Sequence, residues 1–255
     1  MGLQTVDRAV AALHLLSANG STGLRLVDVQ GKLKLSKPTA HRLLMSLVSH
    51  GFVEQDDTSK RYRLGSRLAV LAWSVPQRRP DLGRVTAPSA QRLAERSGDT
   101  VFVMARDGLE HVCVGRETGS FPIKALTVDI GTRRPLGVGA GGVAVLASMP
   151  PDEARRSLDS TGPRLKAYPL TSVEVIQRGV DQARRLGYSV SDGQVATGVR
   201  AIAAAIRDAR GIPVGSIGIA AIRSRMLPER VKELVPALLE ERAEIERQLA
   251  GWSAV

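Results

Sequence analysis

A single cysteine, Cys113, stands in the 255-residue chain, so no internal disulfide can form and a reducing compartment fits best. Cys113 falls in the apolar alternation HVCVG, which predicts a buried structural thiol rather than a nucleophile. No apolar run approaches the ~18 residues that a membrane helix requires. The opening MGLQTVDRAV lacks the basic start and apolar stretch of a secretory leader, so a cytoplasmic protein with no membrane partner is expected. His14, His41, His50 and His111 show no ligand spacing with cysteine or carboxylates, and no metal is expected. There is no G-x-S-x-G elbow and no evident grouping of Ser, His and acid, so no catalytic residue and no cofactor is assigned.

Acidic residues are also short. The chain carries 36 Lys and Arg against 25 Asp and Glu, a formal charge of +11, which points to an anionic partner and first of all to nucleic acid. The excess is denser at the amino end: residues 1–75 hold 10 basic and 5 acidic side chains, residues 76–255 hold 26 and 20.

The stretch VPQRRPDLG, residues 75–83, joins two prolines, charge and a glycine, the usual signature of a domain boundary. Before it, Val6, Val10, Leu13 and Leu16 recur at helical spacing and predict a first helix over 5–18. A short second helix is expected near 27–33, weakened by Gly31. In LSKPTAHRLLMSL, Ser36 can cap and Pro38 suits a first turn. Ala40, Leu43, Leu44, Leu47 and Val48 then follow helical spacing until Gly51 ends the third helix. FVEQ and RYRL, joined by the polar DDTSK, predict a hairpin with a basic second strand. Three helices and a hairpin make a winged helix-turn-helix.

At 100° per residue the third helix separates its apolar stripe from a face holding Thr39, Arg42, Met45, Ser46 and Ser49. A helix fits the major groove, where Arg grips guanine and Ser or Thr reach base edges or phosphate. Lys37 and the N–H groups at the helix start suit a phosphate. Any surface helix has a polar face; what favours DNA here is the context, with a helix just upstream and Lys60, Arg61 and Arg63 just downstream.

Beyond the boundary, alternation dominates. TVFVMAR, a DG turn and LEHVCVGRE predict a hairpin, IKALTV a further strand, and VRAIAAAIRD with IPVGSIGIAAI a second hairpin of very small residues. Thr171 and Glu174 read as a capping box opening a helix over 171–186. Val231, Leu234, Val235, Leu238, Ile245 and Leu249 mark a terminal helix kinked at Pro236. The fold class is α+β, an antiparallel sheet with helices on one side.

The runs LQTVDRAVAALHLL, KPTAHRLLMSLVSHGFVEQDDTSKRYRLGSRL, GTRRPLGVGAGGVAVLASMP and GYSVSDGQVATGVRAIAAAIRDARGIPVGSIGIAA, in this order, resemble the IclR (isocitrate lyase regulator) family of bacterial transcription regulators. The resemblance implies a winged helix-turn-helix over 1–75, a linker and linker helix over 76–98, and a GAF-like effector-binding and oligomerisation domain over 99–255. It also implies a homodimer or homotetramer on a palindromic operator in double-stranded DNA. By resemblance Lys37, Thr39, His41 and Arg42 belong to the recognition helix, and Lys60, Arg61, Tyr62 and Arg63 to the wing. With Ser36 and Ser46 of the same helix these form the expected DNA-binding set. The expected effector site is Gly139, Ala140, Gly141, Ser191, Ala201, Gly218 and Ala220.

Five departures from the family stand out. Ala201 replaces its common Cys, and Gly218 and Ala220 its Ser residues, so a roomier and less polar pocket is expected, for a small-molecule effector more apolar or bulkier than a small organic acid. Val27 stands where the family usually caps helix two with Ser or Thr, and Lys34 where its turn usually has Gly. A lost cap and a strained turn cost ~1 kcal/mol each.

Two rival readings compete with this one. Gly137, Gly139 and Gly142 satisfy G-x-G-x-x-G formally, but TRRPL is no buried parallel strand and no βαβ repeat surrounds it, so a tight turn explains them better than a dinucleotide site. The other rival is a DNA-binding regulator with no effector.

Overall fold

The computed structural model describes residues 4–17, 19–74 and 81–252, without the side chains of Ser21, Trp73 and Trp252. The chain divides into two compact units, Met1–Arg78 and Arg79–Val255. Residues 75–80, most of the proline-rich boundary stretch, lie outside the described residues.

In the first unit α1 (Gln4–Ser17), α2 (Leu26–Leu33) and α3 (Lys37–Ser49) precede the hairpin of β1 (Val53–Gln55) and β2 (Tyr62–Leu64), and α4 (Arg67–Ser74) follows. Its core joins Ala12, Leu16, Leu24, Val29, Leu44, Leu47, Val53 and Tyr62. The stripe of α1 is rotated from the one expected. Val6 and Val10 are about half exposed, and Ala9, Ala12, Leu13 and Leu16 face inwards. The sequence reading also passed over α4, whose Val70 and Leu71 are exposed.

The junction of α2 and α3 settles the two departures of the reading domain. Helix α2 is capped at Arg25, not at Val27: the Asp28 carboxylate accepts the Arg25 N–H at 2.9 Å, while Val27 lies in the first turn with its side chain in solvent. Arg25 itself makes no side-chain cap bond, so the bond to the Asp28 carboxylate is the cap that α2 retains. Lys34 does adopt the left-handed backbone that glycine would take without strain, at φ 51° and ψ 44°.

The second unit begins with α5 (Leu82–Ser97). There follow β3 (Thr100–Asp107), β4 (Glu110–Thr118), β5 (Arg133–Pro135), α6 (Gly139–Ala147), α7 (Pro151–Thr161) and α8 (Val173–Leu186). The unit closes with β6 (Ser189–Asp192), β7 (Val199–Arg207), β8 (Pro213–Ile222) and α9 (Pro228–Trp252). The six strands form one antiparallel sheet in the order β5-β4-β3-β8-β7-β6. Helix α5 buries Leu82, Ala90, Leu93 and Ala94 against it, so the segment expected as a linker helix is part of this unit's core.

Helices cover both faces of the sheet, not one. Val101, Val103, Ile202, Ile206, Ile217 and Ile219 pack with α5 and α9, while Ala201, Ala203 and Ala205 meet Ala140 and Ala144 of α6 on the other face. The reason is visible in the alternation: β7 and β8 are apolar on both sides, bulky on one and methyl-sized on the other, so a second helix can approach closely.

Two further expectations are corrected. Residues 123–128 form no strand; Ala125 and Val128 tuck under Phe102 and Met104 while Ile123 and Leu126 face solvent, which is how a packed loop mimics alternation. The cap of α8 is Ser172, whose hydroxyl accepts the Val175 N–H at 3.3 Å, rather than Thr171. The short strand β5 comes instead from RRP, antiparallel and at the sheet edge. That placement removes the parallel strand a dinucleotide fingerprint needs, and a Cβ on Gly142 would lie 2.7 Å from the Gly137 nitrogen, so these glycines serve a tight turn.

Candidate functional site

Two places concentrate chemistry, one in each unit. In the first, α3 turns Ala40, Leu44 and Leu47 into the core and leaves Lys37, His41, Arg42, Met45, Ser46 and Ser49 exposed. Pro38 fits the first turn, where its missing N–H costs nothing. Ser36 occupies the cap position but its hydroxyl meets that of half-buried Thr39 at 2.8 Å instead of a backbone N–H. The helix start therefore keeps free donors beside Lys37.

The wing divides into exposed and packed residues. Lys60 and Arg63 are exposed. Arg61 is half-buried and its Nη1 donates to the Gly23 carbonyl at 3.0 Å, tying the hairpin to the loop before α2. Tyr62, placed in the DNA-contacting set by sequence, is a core residue: it is 2% exposed and its backbone pairs with Leu24. The DDTSK turn is fixed by Asp56, whose carboxylate accepts both the N–H and the hydroxyl of Ser59 at 2.7 Å. These bonds hold the Asp56 carboxyl below its ordinary range. Arg25, which sequence did not single out, joins Lys37, His41 and Lys60 around a shallow open cleft between α2, the start of α3 and the wing.

The second site is a pocket on the small-residue face of the sheet, with about 600 Å³ of empty space, its mouth included. Gly139, Ala140, Gly141, Ser191, Ala201, Gly218 and Ala220, from four separate elements, all line it. The extra room expected at Gly218 is not there. A Cβ on Gly218 would lie 2.6 Å from the Ile202 carbonyl oxygen, so the neighbouring strand already fills the space. Phe102, Met104, Val195 and Val199 make the remaining wall mostly apolar.

Sequence reading missed the pocket's polar groups. His111, Arg134, Thr127 and Ser216 also line it. His111 is 3% exposed, and among the described residues neither ring nitrogen has a hydrogen-bond partner in normal geometry, although the Val138 backbone is close enough to favour the protonated ring. Burial, with the nearby Arg134 charge second, pushes its pKa down to about 3, so the ring is neutral near pH 7. Burial also lowers the pKa of the Arg134 guanidinium. The Ser216 hydroxyl is buried and unpartnered. Only their distance in sequence hid them, since no local spacing links residues 111, 134 and 216. Cys113 lies beneath the pocket, buried, its thiol pushed up to about 11 by burial, an inert packing group.

Comparison with known proteins assigns a family to each of the two units. Residues 5–57 match the family model described as the IclR helix-turn-helix domain, and residues 77–247 match that of the bacterial transcriptional regulator IclR C-terminal. The HTH-type transcriptional repressor AllR of Klebsiella pneumoniae is 31% identical over 230 residues, which cover 90% of this chain and 84% of that protein. The crystal structure of an IclR transcriptional regulator from Alicyclobacillus acidocaldarius superposes with a TM-score of 0.74 at 26% identity, covering 99% of this chain and 100% of the other. A homologue from Microbacterium hydrocarbonoxydans, crystallised with 4-hydroxybenzoate, shares the fold at a TM-score of 0.72 and 22% identity, with 97% and 99% covered.

Proposed function

As the chain belongs to the IclR family of bacterial transcription regulators, we propose that it binds a palindromic operator as a homo-oligomer in the cytoplasm and that a small molecule in the second unit tunes that binding. It regulates transcription and is not an enzyme. The observation that carries the DNA-reading half is the division of α3: three side chains sealed in the core, and Lys37, His41, Arg42 and Ser46 presented to solvent together. Arg42 and Ser46 lie one turn apart, where a helix in the major groove reaches base edges, and Lys60 and Arg63 flank it as phosphate grips. The pocket supports the effector half, because seven residues from four separate elements meet around one cavity.

The test is selection of bound fragments from random duplexes by the full chain. A recovered two-fold site, with half-sites spaced by about one helical turn, is the expected result. Recovery of no consensus would overturn the reading. Repeating the binding with candidate metabolites separates an effector-controlled regulator from one without an effector: a true effector must both raise the melting temperature and shift operator affinity.

A further inference from the structure

The second unit has another cleft, of about 470 Å³ with its mouth included, at the ends of α6 and β7 that the pocket does not use. Small residues line it: Ala144 and Ala147 of α6, Ala183 and Gly187 at the end of α8, and Ala205 of β7. Where methyl-sized groups leave room, three arginines from three elements meet, Arg184 of α8, Arg207 of β7 and Arg242 of α9. Among the described residues no Asp or Glu lines this cleft. It shares no lining residue with the pocket, although α6 and β7 run from one to the other.

Part of this charge has a structural use. Arg184 answers the negative end of α6: its Nε donates to the Ala147 carbonyl at 3.3 Å and its Nη2 to that of Met149 at 3.4 Å, both long bonds. Arg207 donates from Nε to the Ser148 hydroxyl at 2.7 Å, and the rest of its guanidinium is unbonded among the described residues. The Arg242 guanidinium makes no hydrogen bond among them. Its Nε is buried without a partner, and Glu246 Oε2, at 3.9 Å, is within ion-pair distance but beyond hydrogen-bond reach. The other Glu246 oxygen accepts the Arg207 backbone N–H at 2.9 Å. A solvated cation needs no partner, which accounts for Arg184 and Arg207 taken singly. It does not account for Arg242, whose side chain is 26% exposed. Three guanidinium charges less one carboxylate leave an excess of two around one cleft. Like charges gathered there repel, and the donors they hold favour an anion that can answer several at once.

We propose that this cleft is a second ligand site, which takes a small doubly charged oxyanion of the phosphate monoester type, with Arg207 and Arg242 as its main donors, Arg184 as a third cation and the Ser148 hydroxyl beside them. The excess of two positive charges matches a phosphomonoester, which carries about 1.5 to 2 negative charges near pH 7. A carboxylate or a phosphodiester, with one charge, neutralises only half of it. Planar guanidinium forks suit the several oxygens of a phosphate, and the Ser148 hydroxyl, which accepts from Arg207, keeps its own proton to donate. The assignment is independent of what occupies the pocket, since neither its residues nor its charge come from there.

The experiment uses the full chain with methyl phosphate, dimethyl phosphate and acetate as probes, read by isothermal titration at pH 7.5 and matched ionic strength. Methyl phosphate is expected to bind saturably, and about tenfold or more tightly than either singly charged probe. Arg242→Gln and Arg207→Gln are each expected to weaken it about ten- to a hundredfold, the span of one charge-assisted hydrogen bond. Because the Arg242 guanidinium bonds to nothing among the described residues, Arg242→Gln is expected to keep the wild-type melting temperature, which separates a lost ligand contact from a lost fold. Two localising variants complete the set, Arg134→Gln in the pocket and Lys37→Ala in the first unit, and both are expected to bind methyl phosphate as the wild type does. No saturable binding of methyl phosphate would overturn the proposal. So would equal affinity for dimethyl phosphate, which marks a nucleic-acid backbone as the better fit, or affinity that survives both Arg242→Gln and Arg207→Gln. Loss of binding in Arg134→Gln or Lys37→Ala would place the anion elsewhere and overturn it as well.

Discussion

His111 on β4 and Arg134 on β5 face each other across the sheet edge and open into the same cavity, one neutral and without hydrogen-bond partners, the other charged and without a counter-ion among the described residues. Burial and charge are thereby joined at one pair of positions.

Acid stability reports on His111. In the unfolded chain its pKa is near 6.5, and in the folded protein burial pushes it to about 3. Above pH 6.5 neither state holds the proton. Below that, the unfolded chain takes up a proton that the folded one refuses, so stability declines by ~1.4 kcal/mol per pH unit until the folded ring titrates. His111→Leu removes this contribution. Urea melts at pH 7.5 and 5.5 are expected to show the wild-type chain losing ~1.4 kcal/mol more than the variant; parallel losses would mean that the ring is accessible to protons in the folded state.

Gly141 and Ser216 are coupled by contact. Gly141→Ala brings a Cβ to 2.6 Å from the Ser216 hydroxyl oxygen, and with that oxygen removed the nearest atom is the Met104 Cγ at 3.5 Å. Gly141→Ala alone is expected to cost about 1 kcal/mol. In a Ser216→Ala background the same change is expected to stabilise by up to ~1 kcal/mol, as alanine does within a helix. A double-mutant cycle by thermal melting checks the change of sign, and additive effects would exclude the contact.

Arg42 and the wing cations are expected to differ in what they read. Arg42→Ala is expected to lower discrimination between operator and scrambled duplex by ~1 to 3 kcal/mol. Lys60→Ala is expected to weaken both duplexes alike and to lower the salt slope by about one. Arg61→Ala belongs to neither class, because its guanidinium holds the Gly23 carbonyl: its main effect is expected in the melting temperature of the first unit. Binding across a salt series together with a melt of each variant assigns every residue to its class.

The turn at Lys34 stores strain. A lysine at φ 51° costs about 1 kcal/mol relative to glycine in the same backbone, part of which the extra freedom of unfolded glycine cancels. Lys34→Gly is expected to raise the stability of the full chain by up to ~1 kcal/mol in urea. A loss instead would mean that the lysine side chain contributes more than its backbone costs.

What sequence made legible, and what it hid, divides along one line. Helix α3 could be read because its apolar spacing and its cap, proline and terminal glycine all lie within fifteen residues. The pocket set from Gly139 to Ala220 was reached through family resemblance, and the fold brings its members together. The burial of Tyr62 and the tie from Arg61 were not legible because their partners, Leu24 and Gly23, lie far back in the chain. His111 and Arg134 were invisible as a pair for the same reason: only strand register makes them neighbours. Where local pattern gives way to tertiary contact, polar residues in particular cannot be sorted into surface and interior.

The unequal faces of β7 bear on how folding fidelity is enforced. Ile202 and Ile206 point to α5 and α9, and Ala201, Ala203 and Ala205 to α6. Because side chains alternate with a period of two, a pairing error of a single position would thrust isoleucine into the cavity and hollow out the opposite layer. A mis-threaded sheet would thus lose the pocket as well as its stability, and an intact cavity becomes a proofreading mark of correct strand pairing.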